Sequence, residues 1–174
     1  MRFLETRIAG AWLVQPEPRT DERGSFARLW CRDDFAKHGL RADFVQCNTS
    51  FSVKRGTLRG LHYQAAPHGE VKLISCVRGR VFDAIVDVRP DSPTYRTWFG
   101  AELSADNRTM MYVPEGCAHG YLTLEDGCEV TYPVTAVYTA AAERGLRWDD
   151  PAIGIEWPLP PAVMSIKDQE WRLL

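Results

Sequence analysis

Residues 71–88 read VKLISCVRGRVFDAIVDV, and their pattern decides the fold class. Two runs of strand length, VKLISCV and VFDAIVDV, are rich in β-branched and other apolar residues, with a glycine between them. Outward in both directions similar runs recur at roughly ten-residue spacing, the rhythm of a sandwich or barrel. Upstream lie FVQCNTSFSV (44–53) and RGTLRGLHYQ (55–64); downstream lie TWFGAEL (97–103), VPEGCAHGYL (113–122) and EVTY (129–132). Turn-rich RPDSPTY (89–95), DNR (106–108) and PEG (114–116) separate them. ETRIAGAWLVQPEP (5–18) supplies one or two further strands, broken by Gly10 and stopped by Pro16 and Pro18. TDERGSFARLW (20–30) is a turn followed by a strand that carries Phe26. Only DDFAKHGL (33–40), with Gly39 as a left-handed cap, and SIKDQEWRLL (165–174) read as helices, while residues 141–161 read as loop. Many short strands without α/β alternation predict an all-β, antiparallel jelly-roll barrel with a few short peripheral helices. No linker interrupts it, so residues 1–174 form one expected domain.

Composition narrows the function. Apolar residues make up 45% and charged residues 25%, with a net charge of −2 and a pI near 6.1. There is no basic footprint for nucleic acid, so any phosphate must be held by a few placed arginines. The N-terminal MRFLETRIAG lacks the apolar core of a signal peptide, and no run is long enough to span a bilayer. Five cysteines, Cys31, Cys47, Cys76, Cys117 and Cys128, are scattered without a C-x-x-C pair. That usage predicts reduced thiols, a cytoplasmic location and no structural zinc.

The strands carry a second signal. His62, Lys72, Asp83, Asp87, His119 and Tyr132 enter otherwise apolar runs one after another. Buried charge is costly unless paired or used, so this set predicts a polar pocket inside a sheet. Taken singly, each residue has a structural reading as well. A histidine beside an apolar strand is commonly a core residue, and Tyr132 is an ordinary strand aromatic. Lys72 and Arg59 suit edge charges, and Ser165 to Asp168 fits a capping-box variant. Alternation puts Gln46, Asn48 and Ser50 on one face. It separates Arg59 from His62, so Gly60 marks a bulge or a change of strand direction if both serve one pocket.

PEGCAH has the P-x-G-x-x-H spacing of the second cupin motif, which places His119 just inside a barrel strand. Metal-binding cupins add H-x-H and a carboxylate, whereas this chain offers His62-Tyr63-Gln64 with Lys72 nearby. Two imidazoles and an amide without an anionic ligand make a poor metal site.

DERGSF, FVQCN, RGTLRGLHYQ, VKLISCVRGRVFDAIVDVRPDSPTY, VPEGCAHGYL, ERGLRWDDP and SIKD resemble, in order and over nearly the whole chain, the dTDP-4-dehydrorhamnose 3,5-epimerase family. The resemblance implies a cofactor-free cupin isomerase, usually a homodimer, acting on a nucleotide-diphosphate sugar. The expected reaction inverts C3 and C5 of a 4-keto-6-deoxyhexose through an enolate. By that resemblance His62 is the general base, Tyr132 the acid on the opposite sugar face, Lys72 the group near the enolate and Asp168 the carboxylate orienting His62. Arg23 and Arg59 match diphosphate and substrate contacts; Phe26, Gln46, Asn48, His119, Glu143 and Lys167 fall on further substrate positions, and Tyr138 on a base-stacking one. The chain departs from the family at Arg28, which stands where an acid is usual, at Ala136 and Val137 before Tyr138, and at Pro133 directly after Tyr132. The alternatives are a 3- or 5-mono-epimerase on another nucleotide sugar, a metal-dependent cupin, or a sugar-binding cupin without catalysis.

Overall fold

The computed structural model describes all residues from 1 to 174. The strands are β1 (Arg2–Glu5), β2 (Trp12–Gln15), β3 (Arg19–Asp21), β4 (Gly24–Phe26), β5 (Gln46–Ser52), β6 (Leu58–Gln64) and β7 (Lys72–Arg78). They continue with β8 (Arg80–Asp87), β9 (Trp98–Ser104), β10 (Met110–Val113), β11 (Cys117–Thr123), β12 (Cys128–Val134) and β13 (Glu143–Gly145). Two short helices, α1 (Arg32–Ala36) and α2 (Ile166–Glu170), flank them. The chain makes a six-stranded sheet in the order β1-β2-β10-β7-β12-β5 and a five-stranded sheet in the order β13-β6-β11-β8-β9. Neighbours within both sheets are antiparallel. This is the jelly roll expected from the strand rhythm. Residues 143–145, expected as loop, instead pair with β6 as β13, where Glu143 faces Gln64 and Gly145 faces His62. Three residues with one glycine carry too little periodicity to be read as a strand.

Alternation along the strands builds the interior. Ile74 and Cys76 of β7, Val81 and Ile85 of β8 and Val130 of β12 point between the sheets into a core with Met111, Val113 and Leu103. Leu73 and Met110 point the other way, against Phe35 of α1 and Tyr112. Leu61, Val86 and Ala118 meet Leu146 and Ile153 from the loop that wraps the five-stranded sheet. The inward rows are not apolar throughout. Lys72 shares a row with Ile74 and Cys76, and Tyr132 shares one with Val130, so one end of the barrel is core and the other is chemistry.

The turn after β8 is fixed by Asp87. Its carboxylate accepts from Arg89 Nε at 2.8 Å and Nη2 at 2.7 Å, from Ser92 Oγ at 2.5 Å and from Thr94 Oγ1 at 2.7 Å. Burial pushes this carboxyl up, but those donors, Arg89 foremost, hold it down at about 2. A depressed carboxyl contributes stability that is complete above its unfolded value near 4 and lost as pH falls towards about 2. Asp87→Ala leaves the Arg89 guanidinium without its partner and is expected to cost about 3–5 kcal/mol. Urea unfolding at pH 7 checks this, and the gap between wild type and variant should narrow below about pH 4.

Candidate active site

A cavity of about 520 Å³ opens between the two sheets, lined by Arg59, His62, Lys72, His119, Tyr121, Tyr132, Lys167 and Asp168 among others. A second lobe of about 300 Å³ adjoins it and shares His62, Lys72 and Tyr132. The second lobe adds Gln46, Asn48, Gln64, Glu70, Tyr138 and Glu143. Eleven of the thirteen residues singled out in the sequence therefore meet here. Arg23 and Phe26 do not. They sit on the exposed β3–β4 hairpin, where Arg23 pairs with Asp21 at 2.6 Å and Phe26 is 73% exposed. They border a separate surface cavity. Arg28, the charge departure, also lies outside the main cavity, 4.0 Å from Asp34.

His62 and Arg59 reach one cavity because β6 bends at Gly60. The β6–β11 pairing shifts register between His119 and Tyr121, opposite that bend. Gly60 has φ +134, and a Cβ there would lie 2.5 Å from the Gly120 Cα. Only glycine fits. Arg59 is then held by Ser52 Oγ at 3.3 Å and the Phe51 carbonyl at 3.1 Å.

His62 Nε2 lies 2.5 Å from Asp168 Oδ1. Burial raises the Asp168 carboxyl, but the hydrogen bond and charge of His62 outweigh this and hold it below its ordinary value. An ionised Asp168 accepts the Nε2 proton, which leaves the imidazole lone pair on Nδ1. The two readings of Asp168 are compatible. Its backbone N–H donates to Ser165 Oγ at 3.1 Å, capping α2, while its side chain holds the histidine.

A second pair lies directly across the ladder, since His119 is the register partner of His62. His119 Nε2 is 2.7 Å from Asp83 Oδ2, and the other Asp83 oxygen is buried without a partner. Burial pushes the Asp83 carboxyl up, against the pull of His119 and Lys72. Tyr132 enters from the opposite sheet. Its phenol is raised first by burial and then by the nearby Tyr121 and Glu70, so it stays protonated as a hydrogen-bond donor. Around the second lobe Gln46 Nε2 donates to Asn48 Oδ1 at 2.8 Å, Tyr138 Oη donates to Glu143 Oε2 at 2.9 Å, and Lys167 Nζ pairs with Glu143 Oε1 at 2.5 Å. That network leaves the Tyr138 ring 54% exposed at the rim.

Both imidazoles spend Nε2 on a carboxylate, and Gln64 turns into the second lobe to donate to Glu70 Oε2 at 3.3 Å. No three His, Cys, Asp or Glu side chains gather as a metal ion would require. Two lining residues, Tyr121 and Glu70, and one neighbour of His62, Trp171, escaped the sequence reading. Tyr121 is one more aromatic in a strand run, and Trp171, whose ring lies 6.2 Å from that of His62, falls in the C-terminal helical run with no signal of its own. Glu70 had a legible signal, because it precedes Lys72 by two residues and so shares its face.

The dTDP-4-dehydrorhamnose 3,5-epimerase family profile matches residues 5–174. The curated dTDP-4-dehydrorhamnose 3,5-epimerase of Methanothermobacter thermautotrophicus is 46% identical over 99% of this chain and 94% of its own length. The Bacillus anthracis enzyme of that name, solved with TDP and PPi bound, superposes with a TM-score of 0.96 at 39% identity, covering 99% of both chains. A Legionella pneumophila 3,5-epimerase in complex with dTDP-4-keto-L-rhamnose superposes with a TM-score of 0.92 at 36% identity, over 99% of this chain and 92% of that one.

Proposed function

Since the chain belongs to the dTDP-4-dehydrorhamnose 3,5-epimerase family, we propose that it inverts both C3 and C5 of dTDP-4-dehydro-6-deoxyglucose, giving dTDP-4-dehydrorhamnose. The chain is an isomerase, and its cavity supports the residue roles that the family resemblance implies. One observation carries the reading: His62 and Tyr132 line the same cavity from opposite sheets, with Lys72 shared by both lobes. A C4 ketone acidifies the hydrogens on C3 and C5, but the carbanion still needs a base and charge stabilisation at neutral pH. The His62 lone pair, set by Asp168, removes the proton; a positioned base contributes about 10²–10⁴-fold. The Lys72 ammonium stabilises the enolate oxygen. Tyr132 returns a proton from the other side, which is what inversion requires. No redox or metal step is needed for this proton balance.

The nucleotide extends into the second lobe, where Tyr138 offers an exposed ring, while Arg59 and Lys167 offer cations from the main cavity. Arg23 and Phe26 find a use in a homodimer whose hairpin reaches the partner's cavity. In support, Phe26, Leu29, Trp30, Phe51, Val53 and Val77 are all exposed, and β5 is an open sheet edge. A sedimentation mass of one protomer would refute the dimer. All five thiols are free, consistent with a cytoplasmic enzyme.

Proton NMR of dTDP-4-keto-6-deoxyglucose with the enzyme in D₂O tests the reaction. Deuterium is expected at both C3 and C5. Label at one carbon alone identifies a mono-epimerase, and no label identifies a sugar-binding protein. Activity that disappears on exhaustive chelation would identify a metal-dependent cupin.

A further inference from the structure

We propose that Glu70 is a positioning residue for Lys72: it holds the ammonium in place for the developing enolate. The inference rests on the role given above to Lys72. Glu70 Oε1 lies 3.3 Å from Lys72 Nζ, with the two side chains 11% and 9% exposed. It is the one carboxylate within ion-pair reach of that ammonium. A second Lys72 contact runs from Nζ to the His62 carbonyl at 3.3 Å. An ammonium has three N–H donors, so these two contacts leave one uncommitted. A ketone oxygen can take it.

Glu70 is itself anchored. Its Oε2 accepts from Gln64 Nε2 at 3.3 Å, and Gln64 is in turn fixed by the Thr139 N–H, which donates to its Oε1 at 2.6 Å. Gln64 sits two residues after His62 on the inward face of β6. The base and the cation are thus tied to one short segment of backbone, through the His62 carbonyl and through Gln64 and Glu70.

Both halves of the pair need each other. A lysine's four-carbon stem is flexible and does not by itself fix where the ammonium sits. Glu70 restricts that freedom through its 3.3 Å contact with Nζ. It does reduce the net positive charge facing the substrate, so the ammonium acts through placement rather than through excess charge.

The test is a double-mutant cycle on Glu70→Ala and Lys72→Ala, with Glu70→Gln as the conservative variant. The readouts are kcat, KM and deuterium exchange in D₂O, with thermal melting to confirm folding. Glu70→Ala is expected to lower kcat about tenfold with KM changed less than about twofold. Glu70→Gln keeps an acceptor oxygen and should recover part of that loss. In deuterium exchange, which reads enolate formation and not the proton returned by Tyr132, the double variant should be no slower than Lys72→Ala alone, because there Glu70 acts through Lys72. Losses that multiply in the double variant, a wild-type kcat for Glu70→Ala, or a change confined to KM would each overturn the inference. A wild-type rate for Lys72→Ala would remove the Lys72 assignment itself and this inference with it. A slow Lys72→Ala beside additive losses removes the Glu70 inference alone.

Discussion

His62→Asn is expected to abolish both deuterium exchange and epimerisation, with kcat falling by at least about two orders of magnitude. Asparagine is smaller than histidine and lacks the Nε2 that meets Asp168, so it opens space beside that carboxylate while the other lining residues stay in place. What disappears is the lone pair that takes the proton from carbon. Both processes begin with that step, and so both must fall together. Lys72→Ala is a useful contrast. It leaves the base intact but removes the cation at the shared enolate, slowing exchange and inversion in proportion. Exchange in His62→Asn within about tenfold of wild type would show that another group removes the proton. His119 would be the first candidate, because Asp83 orients its ring as Asp168 orients His62.

Strand periodicity marked β7, β8, β11 and β12 because their inward rows are apolar over several residues. The same periodicity made Lys72 and Tyr132 conspicuous as polar members of apolar rows. Asp168 was ambiguous from its spacing, and the structure explains why: its backbone caps α2 while its carboxylate holds His62. The Gly60 bulge was inferable because alternation alone puts Arg59 and His62 on opposite faces. Glu143 came from family resemblance alone, since β13 has no periodic pattern and exists only through its pairing with β6. Arg23 and Phe26 also came from resemblance, and their hairpin has no contact with the cavity of its own chain that local sequence could reveal. Long-range pairings leave no periodic trace in one strand.

Tyr132→Phe separates the two proton transfers. The substitution removes only the hydroxyl, so the His62–Asp168 pair and Lys72 stay in place. The enolate should still form, and substrate hydrogen should still exchange for deuterium on the His62 face. Inversion should fail, because the far-side proton no longer has a donor; a loss of about 10²-fold is expected for a missing general acid. The signature is therefore a ratio, exchange without inversion, which a general loss of folding cannot imitate. In the wild type, burial, Tyr121 and Glu70 raise the Tyr132 phenol above its ordinary value. A raised phenol keeps its proton past the ordinary tyrosine value near 10, so alkaline loss of inversion should begin only above about pH 10. Pro133 next to Tyr132 supplies no N–H and restricts the tyrosine backbone, which favours a fixed pose for the hydroxyl. If Tyr132→Phe inverts its substrate at the wild-type rate, Tyr132 is not the acid. Tyr121 is then the next phenol to replace, since it lines the same cavity and donates to Ser50 Oγ at 3.0 Å.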